Sequence, residues 1–241
     1  MISIILAAGK GSRLYPLTIN KPKCLVKYKN KSILSHQINI LNQVKIKKIY
    51  LVSGYKSSQI KIKKIFKKKN LEFRNSNMVY SLFKFNKLFN GKEDIVISYG
   101  DIIFKKKVIQ KLINENESLS TVIDTGWLSY WKKRFKNPLD DAETMKMNKK
   151  FYITDIGKKT KSYNNIQGQY IGLIKIKKEI TKDVLKVWND KSKSIDKKKI
   201  KNMYFTDFLR ILIKQNFKLK AVLIKRGWLE FDQPSDLQIN L

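Results

Sequence analysis

Apolar residues fall in short runs along the first half of the chain, each closed by a glycine or polar turn and followed by a stretch in which they recur every three or four positions. Residues 2–6 form such a run and predict a buried strand. After Ser32, Ile33, Leu34, Ile38 and Leu41 recur at helical spacing. A second strand is expected over 48–52, ended by Ser53-Gly54-Tyr55, with helical spacing over 57–66. The rhythm continues with a short strand over 70–73, a helix over 78–89, and an apolar strand over 94–98 of the kind that parallel sheets bury on both faces. Tyr99-Gly100-Asp101 closes that strand. A helix over 108–113 and a strand over 119–123 complete an alternation that predicts an α/β fold with a doubly wound, Rossmann-like sheet.

Beyond residue 123 the pattern changes. Candidate strands over 143–147, 151–156 and 169–176 predict a small antiparallel insertion that makes the architecture mixed. Helices over 178–188 and 204–214 follow, then strands over 220–224 and 228–231. Residues 191–201 are polar and charged and read as a surface loop. A chain of 241 residues is of a size that runs as one domain, so a single unit is expected, with working halves at about 1–123 and 124–241.

Composition narrows the chemistry by exclusion. Cys24 is the only cysteine and His36 the only histidine, which excludes an internal disulfide, a cysteine cluster for zinc and any elaborate histidine catalysis. No apolar run approaches the ~20 residues of a membrane span, and the amino terminus lacks the basic region of a secretory signal, so no membrane insertion and a cytoplasmic location are expected. The net charge of +33 invites a nucleic-acid reading. Against it, the cations are nearly all lysines in scattered runs, with only five arginines and no interleaved aromatics. Specific nucleic-acid binding is not expected; a homo-oligomer is left open.

The chemistry-bearing segment follows the first strand: Leu6-Ala7-Ala8-Gly9-Lys10-Gly11-Ser12-Arg13-Leu14, then Tyr15-Pro16-Leu17-Thr18 and Lys21-Pro22-Lys23. Glycines there let backbone N–H groups approach a polyphosphate, and a nearby arginine offsets its charge. Leu14 stands where a dinucleotide-binding loop needs its third glycine, and no Gly-Lys-Ser/Thr ends the loop as in a Walker A motif. The whole segment, over some twenty residues, resembles the opening of the GT-A-like nucleotidyltransferases, the sugar-phosphate and phosphocholine nucleotidyltransferases. The resemblance implies that Leu6, Ala7, Ala8, Gly9, Gly11 and Ser12 cradle a nucleoside triphosphate, with Arg13 and Lys23 as the catalytic cations. It also implies Mg²⁺ held by Asp101, at the end of an apolar strand beside Gly100, and by Asp232, with Glu230 next, in Glu230-Phe231-Asp232-Gln233-Pro234-Ser235-Asp236-Leu237. Glu230 and Asp232 are two apart and share a strand face.

Gly54, Tyr55, Asn77, Ser81 and Gly100 complete the expected nucleotide site. The segment from Asn75 to Leu82 looks like that of phosphocholine and aminoethylphosphonate cytidylyltransferases, favouring CTP, although Asn77 and Ser81 suit helix capping equally. In the segment from 124 to 144, Trp127, Arg134, Asp141 and Glu143, together with Tyr170, offer indole faces, a cation and carboxylates suited to a zwitterionic phosphorylated acceptor. This part looks most like the CTP:phosphoglutamine cytidylyltransferases of capsule phosphoramidate synthesis. The expected reaction moves CMP from CTP onto the acceptor's phosphate and releases pyrophosphate. A sugar-1-phosphate nucleotidyltransferase and a noncatalytic nucleotide-binding relative stand as alternatives.

Overall fold

The computed structural model describes residues 1–241. Strand β1 (Ile2–Ala7) is buried throughout and leads through the glycine loop to the small hairpin β2 (Lys27–Tyr28) and β3 (Lys31–Ser32), then helix α1 (Ile33–Gln43). Strands β4 (Ile49–Ser53) and β5 (Phe66–Lys69), helix α2 (Met78–Leu82) and strand β6 (Ile95–Tyr99) follow. After β7 (Ile102–Phe104), α3 (Lys106–Asn114), β8 (Leu119–Asp124) and α4 (Trp127–Arg134) come the pair β9 (Glu143–Met147) and β10 (Ile153–Lys159) and strand β11 (Gln169–Ile176). Helices α5 (Lys178–Ser194), α6 (Lys197–Lys201) and α7 (Phe205–Lys214) and strands β12 (Leu219–Ile224) and β13 (Trp228–Glu230) complete the chain.

Seven strands form one sheet in the order β12-β8-β11-β6-β1-β4-β5. All neighbours are parallel except β11, which runs antiparallel to both β6 and β8. Alternation along β1 sends Ile5 and Ala7 to a core shared with α1, α3 and α4, and Ile2, Ile4 and Leu6 to a core shared with α2, α5 and α7. From β1 the chain builds outward through β4 to the β5 edge and then returns to β6 on the other side of β1. That reversal opens a crevice at the carboxyl ends of β1 and β6, where open α/β sheets bind ligands. No helix is long and apolar enough to cross a membrane.

Four expectations are corrected. The helix expected over 57–66 is a single turn, Ser57–Gln59, because Lys56 (φ 47°) and Lys64 (φ 64°) adopt left-handed backbone that interrupts any helix. The edge strand is β5, in a lysine run, rather than 70–73; charged residues suit a sheet edge. Asn70 instead organises a turn, its side chain donating to Ser76 and Ser81 and accepting from the Glu72 amide. The loop expected over 191–201 is helical: α5 continues to Ser194, and Asp196 caps α6 by accepting from the Lys198 and Lys199 amides, in keeping with the good helix propensity of lysine. Finally, α2 is short and passes into a tighter helical turn with a kink at Phe85.

Candidate active site

The loop after β1 lies against two neighbours that leave no room for side chains. Gly11 has φ 67°, and a Cβ there would sit 2.9 Å from Lys23 Cβ. A Cβ on Gly54 would sit 2.3 Å from the Ala8 carbonyl oxygen, which accepts the Tyr55 amide at 3.1 Å. Thr18 Oγ1 donates to the Gly11 carbonyl at 2.7 Å, and buried Leu14 anchors the short turn Ser12–Leu14 that carries Arg13. Between this loop and α2 lies a cavity of about 130 Å³. Leu6, Ala7, Ala8, Gly9 and Gly100 line one side, Asn77 and Ser81 the other, with Lys23 and Asp101 also on its wall. Phe73, Ser76, Met78 and Cys24, none of them expected from the sequence as a site residue, complete it. Asn77 Oδ1 accepts from the Met78 amide, and Ser81 Oγ accepts from Asn70. Gly54 and Tyr55 lie outside the cavity, in an adjoining groove with Lys56, Lys67, Lys69 and Arg74.

The acidic residues come from distant parts of the chain. Asp101 occupies the turn between β6 and β7, and the antiparallel pairing of β7 with β13 sets Glu230 opposite Ile102. The Phe231 amide donates to the Asp101 carbonyl at 3.0 Å. Carboxylate oxygens of Asp101, Glu230 and Asp232 thereby lie within 4.8 Å of one another. Strand β13 ends at Glu230, so Asp232 reaches the cluster from a turn and not from a shared strand face. Lys23 Nζ donates to Asp101 Oδ2 (2.6 Å) and Asp232 Oδ1 (2.5 Å), and Arg13 Nη2 lies 3.1 Å from Asp232 Oδ1. Asp101 Oδ1 is buried without a partner. An all-oxygen donor set with an unsatisfied carboxylate oxygen fits a hard divalent cation such as Mg²⁺.

Burial alone would lower the Lys23 ammonium, but Asp101 and Asp232 more than reverse this and hold it charged, above its ordinary value. Burial would raise Asp232; the charge and hydrogen bond of Lys23 outweigh that and leave it lowered. Glu230 is raised, first by its removal from water and then by the charge of Asp232, with Arg134 opposing.

Arg134 corrects an expectation. Its side chain is fully buried, so it is not presented to an acceptor. Nε donates to Asp236 Oδ1 (3.0 Å), Nη1 to Glu230 Oε2 (2.7 Å), and Nη2 lies 3.3 Å from Asp236 Oδ2 and 3.5 Å from Asp232 Oδ2. Asp236 Oδ2 also accepts the Asp232 and Gln233 amides (2.7 and 3.0 Å). Arg134 and Asp236 thus clamp the turn that carries the acidic cluster. Asp236 was visible in the sequence as part of the acidic carboxyl-terminal segment, but nothing there marked its partner.

Trp127 is likewise core, edge-on to Trp131 and stacked on Tyr163. Asp141 accepts from Trp131 Nε1 at 3.0 Å, and burial raises its carboxyl. Glu143 begins β9 with its backbone bonded both ways to the Gln169 side chain (2.7 and 3.3 Å). Burial, with Asp141 nearby, raises its carboxyl. The next residue along β11, Tyr170, has a buried hydroxyl with no partner and packs edge-on against Tyr99 at 5.7 Å. The Tyr170 hydroxyl therefore supplies unspent polar capacity, with the Glu143 carboxyl close by.

Residues 2–134 match the family described as Nucleotidyl transferase. Over 254 aligned positions the chain is 41% identical to a CTP:phosphoglutamine cytidylyltransferase of Campylobacter jejuni, covering 100% of this chain and 99% of that protein. The chain belongs to the nucleotidyl transferase family. A choline-phosphate cytidylyltransferase of Streptococcus pneumoniae is 36% identical over 99 residues, 41% of this chain and 42% of that one. The solved structure of the CTP:phosphocholine cytidylyltransferase from Streptococcus pneumoniae shares the fold, with TM-score 0.74 and 19% identity over 98% of this nucleotidyltransferase and 96% of that chain. As a nucleotidyltransferase the protein is an enzyme, and its crevice unites a glycine loop, two cations and three carboxylates. Such a set can bind a nucleoside triphosphate, offset its charge and align an attacking oxyanion.

Proposed function

We propose that the protein is a Mg²⁺-dependent cytidylyltransferase that moves CMP from CTP onto the phosphate of a small amine-bearing acceptor, of the phosphoglutamine, phosphocholine or aminoalkylphosphonate type. The observation that carries this reading is the convergence of Lys23, Arg13, Asp101, Glu230 and Asp232 at the mouth of a glycine-walled cavity. The full-length similarity to a CTP:phosphoglutamine cytidylyltransferase supports CTP as donor and a phosphorylated amino acid as the first acceptor to try. A cytoplasmic location suits an enzyme that draws on CTP.

The glycine loop, with Asn77 and Ser81, holds the nucleotide. Asp101, Asp232 and Glu230 would hold the metal, which would supply positive charge to offset that of the phosphates. Arg13 and Lys23 bear on the phosphate oxygens, orienting the α-phosphorus. An acceptor phosphate oxygen attacks in line; the new P–O bond forms as the bond to the β-phosphate breaks, and pyrophosphate leaves with that electron pair. The attacking phosphate is already ionised, so no general base is needed and the lack of a catalytic histidine is no obstacle. Glu143 and Asp141 face the acceptor's ammonium, and the Tyr170 hydroxyl supplies a further polar contact.

The test is pyrophosphate release with Mg²⁺ across the four NTPs and dTTP, each against L-glutamine phosphate, phosphocholine, aminoethylphosphonate and hexose 1-phosphates, with EDTA controls. Release confined to CTP and an amine-bearing acceptor is expected. Release with a hexose phosphate moves the enzyme to the sugar branch, and silence throughout defeats the reading of these acceptors.

A further inference from the structure

We propose that Lys23 is a built-in counter-cation of the acidic cluster, that its ammonium and a divalent ion exclude one another there, and that nucleotide phosphates relieve the exclusion by drawing Lys23 away. The inference rests on the metal reading above. Lys23 Nζ sits 2.6 Å and 2.5 Å from one oxygen each of Asp101 and Asp232. An ion coordinated at about 2.0–2.1 Å by the same two carboxylates would sit against that ammonium. An ammonium left in place would add like charge beside it.

Charge counting sharpens the point. Lys23, Arg13 and Arg134 already face Asp101, Glu230, Asp232 and Asp236. With three cations against four carboxylates, little net charge remains to hold a dication unless one cation leaves. Arg134 is locked in the interior by Asp236, and Arg13 is largely exposed and touches only Asp232. Lys23, like Arg134, bridges two of the three candidate ligands, but Lys23 also lines the cavity that receives the nucleotide. A polyphosphate in that cavity offers the ammonium a second anionic partner on a flexible stem. Nucleotide and metal then bind with positive, reciprocal coupling routed through one side chain.

The experiment is Mn²⁺ binding followed by the electron paramagnetic resonance signal of the free aquo ion, with and without CTP, each corrected for the Mn²⁺ that CTP alone binds, and with no acceptor present. Lys23→Met is expected to bind Mn²⁺ at least tenfold more tightly than wild type in the absence of nucleotide, and to show a smaller gain on adding CTP. Lys23→Gln, whose amide still donates to the carboxylates without a charge, is read alongside it, and circular dichroism establishes which variant is folded. Lys197→Met removes the same charge from the exposed surface of α6 and should match wild type. If a folded Lys23 variant binds Mn²⁺ no more tightly than wild type without nucleotide, the exclusion is refuted and the metal site stands. If no form binds Mn²⁺ even with CTP, the metal reading itself falls.

Discussion

Replacing Arg134 by methionine keeps the length and apolar reach of the side chain while deleting a guanidinium that touches three carboxylates. Asp236 is fully buried, and in the variant it keeps two backbone amides but loses its only cation. Breaking a buried ion pair from one side costs ~3–5 kcal/mol, a large share of the ~5–15 kcal/mol that holds a folded domain together. In urea, with a slope of about 3 kcal/mol per M, the unfolding midpoint should fall by roughly 1–2 M. Asp236→Asn should also destabilise, and the double variant should cost clearly less than the two single losses added, because each partner's penalty is the charge left behind by the other. A deficit below about 1 kcal/mol, measured against this expectation, or strictly additive losses, would refute the account of Arg134 as the clamp of the acidic turn.

Gly54→Ala places a Cβ within 2.3 Å of the Ala8 carbonyl oxygen and 2.6 Å of Phe73 Cβ; the forced shift should cost ~1–3 kcal/mol in urea unfolding and raise the Michaelis constant for the nucleotide. The raised Glu230 carboxyl makes the native state bind more protons than the unfolded chain. Its stabilising contribution is complete below the ordinary glutamate value near ~4.3 and is lost as pH rises through the higher native value, so metal-free stability should decline over that window and Glu230→Gln should flatten the slope. Glu143→Gln should raise the Michaelis constant for an amine-bearing acceptor roughly 10- to 100-fold, the scale of a charge-assisted hydrogen bond, with little change for CTP; an unchanged constant removes Glu143 from the acceptor pocket.

The order of elements was legible because apolar runs and helical spacings survive in a lysine-rich chain wherever both faces of a strand or one face of a helix are buried. The glycine loop and the two acidic segments were legible as motifs. What composition hid was structure that needs little burial: β5 is written in lysines at the sheet edge, and α6 is a lysine run held by one aspartate cap. What distance hid was Arg134. Its partner Asp236 lies 102 residues away, and no local feature marks one arginine for the interior when cations are so abundant. The indole-rich segment around it suggested ligand contact, whereas its rings pack the core beneath the acidic turn. Glu230 and Asp232 are neighbours in sequence on any reading, but their meeting with Asp101 depends on the β7–β13 pairing, which a three-residue strand scarcely announces.

Strand β11 is threaded between β6 and β8, both of which precede it by many residues. The portion that carries the glycine loop cannot by itself offer a contiguous sheet: without β11, β6 ends in an open edge and β8 has only β12 beside it, also from the later portion. The two halves are therefore interwoven rather than joined, so neither can be transplanted as a cassette nor swing as a rigid lobe. Any adjustment that brings donor and acceptor together falls to side chains and loops, and on the acceptor site proposed above a change of acceptor would be made by local substitution around β9 and β11 rather than by exchanging a module.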